Sequence, residues 1–227
     1  MKSIQHVFFD LDHTLWDFDR NSALAFHRVF RKYEVDIPLE RFLEVYEPIN
    51  FDYWKRFREE RVTKQELRRG RLIDAFAELK ERFPLKTIDA MAVAYIDELP
   101  GDNHLFDHAE TILEYLAPKY RLHIITNGFH GVQHKKLENS GIKKYFSTVT
   151  TSEEAGVKKP NPIIFNAALE KAKAAPDESI MIGDTFEADI LGAHEIGMKT
   201  LFYNYRKEPP YDGFLTVSEL LHIKNHL

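Results

Sequence analysis

The sequence predicts an α/β fold: a parallel sheet covered by helices on both faces, interrupted after its first strand by an all-helical block. Three observations carry this. An aromatic and aliphatic run at residues 4–9 ends abruptly in Asp10-Leu11-Asp12, as a buried strand entering a polar loop does. Residues 38–99 read as helical throughout, with no strand-like alternation. From Pro100-Gly101 onward, short apolar runs alternate with helical patterns, the signature of strand–helix–strand units.

The elements follow in order. Leu24, Val29, Phe30 and Tyr33 recur near helical spacing and predict a helix over 21–33, with Asn21 or Ser22 as its cap. In the helical block Pro48 and Pro84 are expected breaks, and Thr63-Lys64-Gln65-Glu66 has the capping-box pattern. Beyond it the sequence predicts helices over 108–116, 132–139, 163–173, 186–196 and 217–223, and strands over 122–126, 148–151, 179–183 and 200–203. The first strand has no partner nearby in sequence and is expected to join the later sheet. Residues 1–16 and 101–227 would then form one α/β core, with 17–100 as an inserted helical domain.

Composition excludes several classes of function. The 227 residues are 44% hydrophobic and 30% charged, ordinary for a folded soluble protein. The net charge of −5, from 36 acidic against 31 basic residues, gives no general attraction to nucleic acid or an anionic membrane. Without cysteine there are neither disulfides nor thiolate ligands, so a divalent ion must be held by oxygen or imidazole, and oxygen ligands point to Mg²⁺. The N-terminal apolar stretch is too short and too soon broken by acids to be a signal peptide or a membrane span, and a cytoplasmic location is expected.

In an open parallel sheet, ligands bind outside the carboxyl ends of the strands, so polar residues that follow strands are the candidates. They are Asp10 and Asp12 after the first strand, Thr126-Asn127-Gly128 after the second, Lys159-Pro160 before a helix, and Gly183-Asp184 with Asp189 after a later strand. Asp10, Asp12 and Asp184 brought together would concentrate negative charge that calls for a cation. The Lys159 ammonium, the Thr126 hydroxyl and backbone N–H groups near Asn127 are suited to phosphate oxygens.

DLDHT at 10–14, TNG at 126–128, KP at 159–160 and GDTFEAD at 183–189 resemble, in order, the motif set of the haloacid dehalogenase (HAD) superfamily. The helical insertion after strand one resembles that superfamily's small cap domain. The resemblance implies a Rossmann-like core and a Mg²⁺-dependent phosphatase in which Asp10 is the nucleophile, forming an aspartyl-phosphate. It implies that Asp12 is the acid and then the base, and that Lys159 and Thr126 stabilise the phosphoryl group. Asp10, the Asp12 main-chain carbonyl and Asp184 would hold the metal, with Asp189 close by or acting through water. Asp12 also argues against dehalogenation, since the superfamily's dehalogenases generally lack an acid there.

The runs FFDLDHTLWDF, TNGFHGVQHKKLENSGIKKYF and SEEAGVKKPNPIIF are similar to bacterial pyrimidine 5′-nucleotidases, which implies nucleoside monophosphates as substrates. Phosphoglycolate or a sugar phosphate is the alternative, and a non-catalytic phosphate-binding protein a third reading. The expected partner is a small phosphomonoester, with no nucleic acid polymer or membrane, and the chain is expected as a monomer or homodimer. Lys158 is read as a solvated charge and Lys159 as the site lysine. Phe51, Tyr53, Trp54 and Phe57 are expected to pack the inserted helices together, and Arg61, Lys64, Arg68, Arg69 and Arg71 to form a solvated basic face. His13 lies inside the catalytic loop.

Overall fold

The computed structural model describes residues 3–209 and 211–227. The chain divides into two compact units, one formed by residues 1–18 and 103–227 and the other by 19–102. Among the described residues no helix is long and apolar enough to cross a membrane.

The first unit is built on strands β1 (His6–Phe9), β2 (Arg121–Thr126), β3 (Phe146–Thr151), β4 (Ser179–Gly183), β5 (Lys199–Tyr203) and β6 (Thr216–Val217). They form a six-stranded parallel sheet of order β3-β2-β1-β4-β5-β6. Every residue of β1 and β4 is buried, as expected for central strands covered on both faces. On one face, Ile164, Phe165, Ala168, Leu169 and Ala172 of a helix pack on Phe8, Ile125 and Met181 of the sheet. Strand order reverses at β1, which opens a crevice beyond the carboxyl ends of β1 and β4. Asp10 follows β1 and Asp184 follows β4, so both candidate acids stand at that crevice.

The helices of this unit are α5 (Ala109–Leu116), α6 (His130–Asn139), α7 (Ser152–Ala155), α8 (Pro162–Ala172) and α9 (Gly192–Glu195); α1 to α4, described below, precede them in the chain. Two expectations change here. The helix predicted over 186–196 opens as a π-helical turn, Phe186–Leu191, and only Gly192–Glu195 is α-helical. The wide turn is closed by Asp189 N donating to Thr185 O (2.8 Å) and by Thr185 N donating back to Asp189 Oδ2 (3.0 Å). The predicted helix over 217–223 is instead β6 followed by a 3₁₀ segment, Leu220–Asn225. Its first residue, Val217, is taken by the sheet, where Asn204 N donates to Val217 O (2.8 Å).

The second unit holds most of α1 (Phe18–Tyr33), with α2 (Leu39–Arg58), α3 (Lys64–Glu78) and α4 (Leu85–Glu98). Helix α1 starts before the expected caps: Asn21 and Ser22 lie within it, buried, and Ser22 Oγ shares a 2.8 Å hydrogen bond with Tyr95 OH. Pro48 does not break α2. Phe42, Tyr46, Asn50 and Tyr53 form one buried stripe through it while Pro48 faces solvent, so burial along the stripe outweighs the lost hydrogen bond. The Thr63–Glu66 capping box is present, with Thr63 N donating to Glu66 Oε2 (2.7 Å) and Glu66 N to Thr63 Oγ1 (3.2 Å).

The core of this unit is aromatic: Phe26, Phe30, Phe42, Tyr46, Phe76 and Tyr95 stack edge-on and face-on. Of the aromatic cluster expected to fill it, only Tyr53 is buried, and Phe51 is exposed. The basic face is likewise not uniform. Arg69 makes a two-pronged ion pair with Asp89 (2.6 and 2.7 Å), and Arg71 is buried, donating to Asn50 Oδ1 (2.7 Å) with its guanidinium over Tyr95. Phe42→Ala is expected to destabilise the protein by about 3–5 kcal/mol, as core aromatic truncations do. Thr63→Ala is expected to cost about 1 kcal/mol through the lost cap. Urea unfolding of the full chain measures both.

Candidate active site

Four of the residues singled out in the sequence meet at the crevice. Lys159, which is buried, donates from Nζ to Asp10 Oδ1 (2.7 Å) and to the Ile125 carbonyl at the end of β2 (2.8 Å). The same ammonium pairs with Asp189 Oδ1 at 2.6 Å. Asp184 completes the group: Asp10, Asp184 and Asp189 each offer a carboxylate oxygen within 4.8 Å of the others. Thr14 Oγ1 donates to Asp184 Oδ1 (3.3 Å).

The electrostatics follow from burial. Asp10 is pushed up to about 7, first by loss of water and then by Asp189 and Asp12, against the opposing pull of Lys159. Asp184 is raised well above the usual carboxylate range, by burial first and by Asp10 and Asp189 next. Lys159 is raised despite its burial, because Asp10 and Asp189 face it. Two of the three carboxylates pair with one lysine, so ionising all three together would leave an excess of negative charge.

Local backbone chemistry sets these positions. Asn127 does not extend its amide to the crevice; it clamps the Lys159 backbone, with Nδ2 donating to Lys159 O (3.1 Å) and Oδ1 accepting from Lys159 N (2.8 Å). Only its own main chain is left for a phosphate oxygen. Asp189 folds over the end of β4, where a Cβ at position 183 would overlap its carboxylate, so Gly183 is required by close approach.

Asp12 stands apart from the carboxylate group. Lys136 Nζ donates to its Oδ1 (2.5 Å) and Gln133 Nε2 to its Oδ2 (3.0 Å). Gln133 Nε2 also donates to Thr126 Oγ1 (2.7 Å), which accepts from Gly128 N as well (3.1 Å). Thr126 is thus joined to Asp12 through one amide. Sequence reasoning missed Gln133 and Lys136; the signal was their register in α6, which puts both on the buried face with Leu137.

His13 has a left-handed backbone (φ 61°) and its Nδ1 shares a 2.8 Å hydrogen bond with Tyr205 OH, the rings stacked at 5.9 Å. Burial holds its pKa well below the ordinary value, with Arg206 and Lys136 adding to the effect. It is therefore neutral at pH 7, a partner of Tyr205 rather than a charged group.

Asp10, Asp184 and Asp189 supply hard oxygen ligands with no imidazole or thiolate in the group, and their charge exceeds what Lys159 balances. Both features fit Mg²⁺ rather than a soft ion.

The chain is 36% identical over 210 residues to pyrimidine 5′-nucleotidase YjjG of Escherichia coli (strain K12), covering 89% of this chain and 88% of that protein. It is 30% identical over 234 residues to glyceraldehyde 3-phosphate phosphatase of Pyrococcus furiosus, covering 93% and 85%. The magnesium-bound crystal structure of YfnB from Bacillus subtilis, described as revealing interdomain movement, superposes with a TM-score of 0.89 at 26% identity, covering 100% of this chain and 99% of that one. Residues 4–197 match the model of the haloacid dehalogenase-like hydrolases, and the chain belongs to that family.

Proposed function

We propose that this hydrolase is a Mg²⁺-dependent phosphatase acting on pyrimidine nucleoside monophosphates through an aspartyl-phosphate on Asp10. The observation that carries the reaction type is the separation of two carboxyls two residues apart. Asp10 sits in the metal-type cluster with Lys159, and Asp12 stands outside it with its own lysine. That division suits one carboxylate to attack phosphorus and the other to move a proton.

In the first displacement an Asp10 carboxylate oxygen bonds to phosphorus as the bond to the ester oxygen breaks; the departing oxygen takes a proton from Asp12. In the second, water attacks phosphorus, gives its proton to Asp12, and the Asp10 carboxylate leaves. Lys159 opposes the burial that would neutralise the nucleophile and stabilises charge on the transferring group. Thr126 accepts two hydrogen bonds from the protein, so its own proton remains to donate to a phosphate oxygen. Asp10, Asp184 and the Asp12 main-chain carbonyl, with Asp189 close by, would hold Mg²⁺, which would supply positive charge to the phosphate oxygens. The helical unit takes the role of the family's cap, which selects the substrate.

The nucleotide reading is supported by the similarity to YjjG across most of both chains. A sugar phosphate is the second reading, favoured by the similarity to the Pyrococcus phosphatase. A screen comparing kcat/KM for dUMP, dTMP and UMP with phosphoglycolate and hexose phosphates is expected to favour the nucleotides; a preference for the sugar phosphates overturns that assignment.

Asp10→Asn is expected to lower phosphate release from p-nitrophenyl phosphate at least about a thousandfold, and chelator is expected to stop it in the unaltered enzyme. Stability reports on the metal separately. In chelator the raised Asp10 carboxyl contributes stability that is fully present below the ordinary carboxylate range and lost as pH rises through about 7. Magnesium is expected to restore it, raising Tm at about pH 8, and Asp184→Asn is expected to shrink that gain. Scanning calorimetry with and without magnesium checks both.

A further inference from the structure

We propose that Lys136 and Gln133 are positioning residues that set the Asp12 carboxyl for proton transfer to the leaving oxygen. The inference rests on the phosphatase reading above and adds two residues of α6 to it.

Both side chains are 1% exposed. They lie three residues apart, hence on one side of the helix, and each donates to a different oxygen of Asp12, at 2.5 Å from Lys136 and 3.0 Å from Gln133. One donor would leave the carboxyl free to turn. Two donors on two oxygens fix its plane, and either oxygen keeps a lone pair that can take the single transferred proton.

The lysine is held as tightly as the acid. Its ammonium lies 3.9 Å from the centre of the Trp16 ring and 5.1 Å from that of Phe18. Trp16 is brought there by the curl of the loop after β1, where Trp16 N donates to Leu11 O (2.9 Å) and His13 N to Trp16 O (3.0 Å). A buried ammonium is costly unless paired. Here one carboxylate and an aromatic face offset that cost, and both come from the loop that carries Asp10 and Asp12.

Gln133 extends the array. Its amide N–H groups bridge Asp12 and Thr126, while its Oε1 has no protein partner, so its orientation depends on those two bonds. The proton carrier and the phosphate-binding hydroxyl are thereby held at a fixed spacing. Gly128 makes room for this, since a Cβ at 128 would overlap the Gln133 amide. Lys136 acts through Asp12, and Gln133 through Asp12 and Thr126.

The step they serve is leaving-group protonation, so its signature is dependence on the leaving group. Nitrophenolate departs without a proton, whereas phenolate, more basic, gains from one. The test is the ratio of kcat/KM for p-nitrophenyl phosphate and phenyl phosphate in the full chain with magnesium, which cancels general damage to phosphate binding. Lys136→Met is expected to lower the phenyl phosphate value about tenfold more than the p-nitrophenyl value, with Lys136→Arg recovering part of the difference. Gln133→Met, which keeps the Lys136–Asp12 pair, carries the same comparison if Lys136→Met does not fold. Equal losses on the two esters, or none, overturn the positioning role while leaving the phosphatase reading intact. An unaltered enzyme that hydrolyses neither ester overturns both.

Discussion

The interaction on which the site depends is the buried ammonium of Lys159. It reaches Asp10 beyond β1, the last carbonyls of β2 through Ile125 O, and Asp189 in the π-helical turn beyond β4, while Asn127 grips its backbone. Three strand ends are therefore referred to one nitrogen. The parallel sheet supplies the occasion, because reversal of strand order at β1 brings segments widely separated in sequence to one edge. Burial there raises the cost of every charge, and the lysine makes the acids tolerable together.

A second buried lysine divides the labour. Lys136 faces Asp12 as Lys159 faces Asp10, yet the two ammonium groups belong to different segments and different surroundings. Lys159 is shared among carboxylates and is held by strong acceptors, so its pKa rises. Lys136 has one carboxylate and an aromatic platform, and burial lowers its pKa despite Asp12. Two acids close in sequence thus meet unlike environments, the condition under which like residues can take unlike roles.

Much of this was legible in the sequence where signals are local and dense. β1 and β4 are short, mostly apolar runs closed by Asp or Gly-Asp, and Thr63–Glu66 is a capping box because both partners lie within four residues. The rest failed for identifiable reasons. Pro48 has a strong local prohibition, but the stripe Phe42–Tyr46–Asn50–Tyr53 carries the helix past it. β6 is two residues long and exists only because β5 lies beside it, a pairing that no local pattern announces. Gln133, Lys136 and Arg71 are polar residues whose partners are distant in sequence, and polarity alone resembles a solvated surface.

The way the chain leaves and rejoins the sheet unit has a consequence for modularity. Trp16 bridges Leu105 in antiparallel fashion, with Asp17 N donating to His104 O (3.1 Å) and Phe106 N to Leu15 O (2.9 Å). The outgoing and returning segments are thus stitched together before the helical unit begins. The segment between Asp17 and His104 thus begins and ends at a seam whose hydrogen bonds lie within the sheet unit. The strand register, and with it the placing of the strand-end acids, is closed by bonds that the helical unit does not supply.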